Sequence, residues 1–118
     1  MSVSRVVNQS KGTVVAERVE LAESLWSRFW GLMGRRGLAQ GHGLYLRSTS
    51  SVHTAFMRFP IDVIFLDKDG RVRKVVPALK PFRLALGFGA SGALELAAGA
   101  ADQAQVAPGD RLVFTDAD

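Results

Sequence analysis

Apolar and polar positions alternate with period two over much of the chain. Val3 to Val7 and Thr13 to Val19 are rich in β-branched residues and flank Ser10-Lys11-Gly12, a turn composition, so the chain opens with a hairpin or two adjacent strands. The period then changes. Leu25, Trp26, Phe29, Trp30, Leu32 and Met33 recur at the spacing that gathers side chains on one broad helix face, behind Ser24 as a candidate N-cap. Gly34 or Gly37 can end that helix, with Arg35 and Arg36 where a cation meets its negative end. Beyond the Gly41-His42-Gly43 turn, Leu44 to Leu46 is short and strand-like, and Ser48 to Ser51 is a polar run. Ile61 to Leu66 is apolar on both faces except for Asp62, as in a central strand, and Asp67-Lys68-Asp69-Gly70 turns it into a return strand, Arg71 to Val76. Pro77 and Pro81 bracket a connector and leave Arg83 to Leu86 a short or edge strand; Gly87, Gly89 and Gly92 mark a loop. A strand at Leu94 to Leu96, a short helix within Gly99 to Val106, and a last strand at Arg111 to Phe114 complete the pattern. The expectation is an α+β fold: a mainly-β curled sheet or small barrel with one amphipathic helix packed against it.

Composition narrows what such a fold does. At 118 residues and 47% hydrophobic, the chain suits a single domain over 1–118. The absence of Cys removes thiolate zinc sites, iron–sulfur clusters, disulfides and cysteine nucleophiles. The first residues lack the apolar core of a signal peptide, and no apolar run is long enough to span a bilayer, so a cytoplasmic protein without a membrane partner is expected. Nothing in the pattern sets an oligomeric state. The net charge is +4, but residues 1–59 carry +5 and residues 60–118 carry −1. From Ser24 to Ile61 there is no acid, whereas five Arg and both His, His42 and His53, lie there, so an anion would favour this run.

The densest chemistry falls between His53 and Asp62, where an imidazole, a hydroxyl, a thioether, a guanidinium and a carboxylate share ten residues. An acid heading an apolar strand needs hydrogen-bond donors, and His53, Thr54 and upstream Arg side chains are the nearest candidates. The site expected is a notch for a small anionic or polar ligand formed by Arg28, Arg35, His53, Thr54 and Asp62. The competing structural expectation is that Asp62 caps a local turn and His53 is a satisfied buried polar group. A second functional expectation is a hydrolase or lyase with His53 as general base, its tautomer fixed by Asp62. A third is an interaction domain for an acidic partner or nucleic acid, which the unclustered Arg residues and the mildly acidic second half disfavour.

Other motifs carry less. His42 and His53 have no third ligand at a recognisable spacing, so no metal is expected, and no cofactor is implied. Gly87-Phe88-Gly89-Ala90-Ser91-Gly92 matches a dinucleotide fingerprint in letters only, because the chain ends too soon for the βαβ unit that the chemistry needs. Trp26, Phe29 and Trp30 read as core, as does Met57.

Trp30-Gly31-Leu32-Met33, Gly43-Leu44-Tyr45-Leu46, Val52 to Leu66 with its His-Thr-x-x-Met-x-x-Pro-Ile-Asp-Val core, Leu94-Glu95-Leu96, Gly99 and Gly109-Asp110 together resemble the DUF192 family over about residues 15–114. That resemblance implies a small mainly-β domain with a helix against it and no assigned activity. Two departures stand out: relatives often carry a secretion or lipoprotein signal, and they often have Gly-Met where this chain has Gly43-Leu44, a like-for-like apolar exchange.

Overall fold

A computed structural model describes residues 3–22, 38–54 and 57–116. The chain runs β1 (Val3–Asn8), β2 (Thr13–Ala22), β3 (His42–Arg47), β4 (Ser51–His53), β5 (Ile61–Leu66), β6 (Val72–Leu79), β7 (Leu84–Leu86), β8 (Gly92–Ala97), α1 (Ala100–Gln103) and β9 (Leu112–Asp116). The amphipathic helix expected over residues 24–37 lies outside the described residues. The strands expected from period-two patterning are present, and β4, in the polar run before His53, is an addition that no hydrophobic alternation announced.

Seven strands form one sheet in the order β6-β5-β8-β3-β2-β1-β9. All its pairings are antiparallel except β2 with β3. The sheet curls into a half-barrel, and its edge strands meet at one end, where Arg71 bridges Arg111, Val72 N–H donates to Asp110 O (2.8 Å) and Leu112 N–H to Gly70 O (2.8 Å). Covering both edges at this corner reduces the open ladder that a flat sheet exposes.

Alternation sorts the central strands between two cores. Ile64, Leu66, Leu94 and Leu96 pack inside the curl with Val6, Val19 and the alanines of α1, Ala100 and Ala101. Ile61, Val63, Phe65, Ala93, Leu44 and Leu46 face the other side, under Val52, Met57 and Ala85. The cover on that side includes a ribbon of β4 and β7, paired Ser51 with Leu86, Val52 with Ala85 and His53 with Leu84. Gly87 lets the ribbon lie on β5, since a Cβ there would overlap the Phe65 ring.

Candidate functional site

Asp62 is almost wholly buried, and its donors are backbone amides rather than the side chains expected from sequence. One carboxylate oxygen accepts from Ala78 N–H (2.8 Å); the other accepts from Gly99 N–H (3.1 Å) and Ala101 N–H (2.9 Å). Each amide needs it. Between the pairs Ile61–Leu79 and Val63–Val76 the β5–β6 register skips, leaving Pro77, which has no N–H, and Ala78, at φ 46°, opposite Asp62. Gly99 begins α1 without a side chain to cap it, so Asp62 serves as the cap from another strand. A buried carboxylate satisfied by three amides ties a bulge to a helix start.

Thr54 is fully buried and equally committed. Its hydroxyl donates to Lys80 O (2.6 Å) and accepts from Arg83 N–H (2.8 Å); its own N–H donates to Arg83 O (2.9 Å), and its carbonyl accepts from Phe82 N–H (3.1 Å). These bonds clasp the turn Lys80–Arg83 onto the end of β4. His53, one residue earlier, points the opposite way along the strand and is exposed beside Leu84, so it is not the buried polar group that the structural expectation gave it. Among the described residues no hydrogen bond joins His53 to Asp62. Arg28 and Arg35, the cationic members of the expected notch, lie outside the described residues.

Two further polar groupings escaped the sequence reading. Asp110, mostly buried, accepts from Lys11 Nζ (2.8 Å), Asn8 Nδ2 (3.0 Å) and Ala107 N–H (3.0 Å), pinning the β1–β2 turn to the loop before β9. The Lys11 ammonium, followed by the Asn8 and Ala107 donors, holds the Asp110 carboxyl below its ordinary range against the cost of desolvation. Glu95 is also buried and partnered, on the face of β8 between Leu44 and Val63. For Glu95, the sequence signal is a lone acid inside an apolar strand, the same signal that marks Asp62. Burial raises the Tyr45 phenol, which stacks at a tilt on Phe114, 4.8 Å between ring centres. Tyr45 lines a hollow of about 290 Å³ with Asp67, Lys68, Arg111 and Phe114. Among the described residues no cluster of three His, Asp or Glu could hold a metal.

The family profile for DUF192, described as Uncharacterized ACR, COG1430, matches residues 6–114. The chain belongs to the DUF192 family. This DUF192 chain is 39% identical over 82 residues to a UPF0127 protein of Pyrococcus horikoshii, covering 67% of this chain and 70% of the relative. It is 32% identical over 112 residues to a UPF0127 protein of Thermococcus sibiricus, covering 91% and 72%. Among solved structures, a Sinorhizobium meliloti 1021 protein that carries the provisional name of a transcription regulator superposes with a TM-score of 0.82 at 28% identity, covering 95% of this chain and 92% of that one. A Novosphingobium aromaticivorans protein of unknown function shares the fold, with a TM-score of 0.79 at 24% identity over 94% of this chain and 83% of that one. Among the described residues no helix of this DUF192 chain is long and apolar enough to cross a membrane.

Proposed function

We propose that this DUF192 chain is a binding module for an anionic ligand, whose recognition surface is the outward face of the β4–β7 ribbon around His53. The observation that carries this reading is the division of labour within the expected site. Thr54 and Asp62 spend their polar atoms on backbone groups and so build the frame, whereas His53 keeps its ring in solvent. Charge supports the same surface: Lys80 and Arg83 lie in the turn before β7, Lys74 Nζ and Arg73 Nε donate to Leu86 O and Phe88 O at its other end, and residues 70–94 contain no Asp or Glu. Arg28 and Arg35, from the acid-free run before Asp62, are expected to add cationic contacts. In this role Thr54 and Asp62 are positioning residues.

An NMR titration with inorganic phosphate tests the reading through the His53 ring resonances. A saturable shift of those resonances, lost in Arg83→Gln, is the expected result. Ring resonances that stay fixed, or that drift linearly without saturation as for ionic strength alone, would contradict it.

A further inference from the structure

The ribbon presents more than charge. Phe82, Leu84, Leu86 and Phe88 are 70%, 64%, 41% and 81% exposed, four apolar side chains within β7 and its two flanking turns. Ala85, between the leucines, faces the core, so alternation aims Leu84 and Leu86 outward, while Phe82 and Phe88 are exposed on the turns before and after β7. Exposure of that kind is uncommon on a surface with no partner. The first of the four is also held at a cost. Phe82 has φ 60°, a left-handed conformation that bulky side chains avoid, and the Thr54 clasp keeps it there.

We infer that this surface docks on an anionic lipid bilayer: the four apolar side chains enter the headgroup layer, and Lys80, Arg83, Arg73 and Lys74 meet the lipid phosphates. The inference rests on the anion-binding reading above, names its ligand as a membrane surface, and departs from the expectation of no membrane partner, which concerned spanning segments and not surface docking. Two other occupants fit less well. A second copy would bring the same acid-free, cationic ribbon against itself. An added peptide strand needs open carbonyls on β7, but that of Leu86 already accepts from Lys74 Nζ (2.9 Å), and just beyond the strand Phe88 O accepts from Arg73 Nε (2.9 Å). What remains is recognition by protruding side chains with cations at their base, the pattern that suits a soft, apolar, negatively charged interface.

Cosedimentation with vesicles tests it, using phosphatidylcholine alone and phosphatidylcholine with about a quarter phosphatidylglycerol. The intact chain is expected to bind the anionic vesicles and not the neutral ones. The double variant Phe82→Ser, Phe88→Ser keeps the net charge and should bind at least about tenfold more weakly, with an unchanged urea midpoint showing that the fold is intact. Equal binding by that variant would overturn the inference, because it would reduce the interaction to bulk attraction between a basic protein and an anionic surface. Equal binding to both vesicle types would overturn it as well. So would absence of vesicle binding; if the His53 resonances still respond to phosphate, the ligand-binding reading stands and an acidic polypeptide replaces the membrane.

Discussion

Asp62 ties three backbone amides from separate parts of the chain to one buried carboxylate. Removing its carboxylate leaves the amides of Ala78, Gly99 and Ala101 buried without an acceptor, and each such group costs on the order of 1 kcal/mol or more. Asp62→Ala is therefore expected to lose about 3 kcal/mol in urea unfolding. Phe82 points the other way. Glycine tolerates a φ of 60° and the exposed ring gives up little burial, so Phe82→Gly should leave stability unchanged or raise it by up to about 1 kcal/mol. A loss of more than that would show that the Phe82 ring supports the fold. Asp110 and Asp67 supply a pH dependence. Both carboxyls sit below their ordinary range, Asp110 chiefly through the Lys11 ammonium and Asp67 chiefly through the Arg71 backbone amide. A lowered folded pKa adds stability that is complete above the ordinary carboxylate range near 4 and is lost as pH falls through the folded value. The urea midpoint should thus hold between about pH 7 and 5 and fall below about pH 4, with a shallower acid slope in Asp110→Asn.

At the scale of elements, the sequence is most legible where one strand buries both faces. Ile61 to Leu66 reads as central because five of its six residues are apolar, and in the structure all six are buried. The turn at Asp67–Gly70 and the short, edge-like β7 follow from glycine and proline in the same direct way. β4 was not legible, because Ser51 and His53 face solvent and only Val52 packs, which leaves no alternation to count in three residues. Its existence depends on β7 and on Gly87, over which the Phe65 ring lies. Gly87→Ala should therefore lift the ribbon and cost about 2 kcal/mol in urea unfolding, more than an alanine in an open loop would. Ten adjacent residues invite a pairing of His53 with Asp62. The skip in the β5–β6 ladder frees the Ala78 amide, which takes the carboxylate instead.

Across the whole molecule, the long-range ties were the least legible. Asn8 and Asp110 are brought together only because β1 lies beside β9 at one end of the sheet order, and no spacing in the chain foretells that neighbour. The parallel β2–β3 pair is hidden for the same reason. Charge is more legible: the two ribbon strands come from acid-free stretches on either side of residues 62–69, and four exposed apolar side chains lie on β7 and its flanking turns. Frame and surface are thus separable, with Asp62 and Thr54 in the first and His53, Phe82 and Phe88 in the second. The most direct test is an amide NMR map of the intact chain against nanodiscs containing phosphatidylglycerol. Broadening or shifts confined to residues 51–54 and 80–88, with the amides of the Asp62 and Asp110 networks unmoved, are the expected result. Perturbations centred elsewhere, with the ribbon silent, would contradict the assignment.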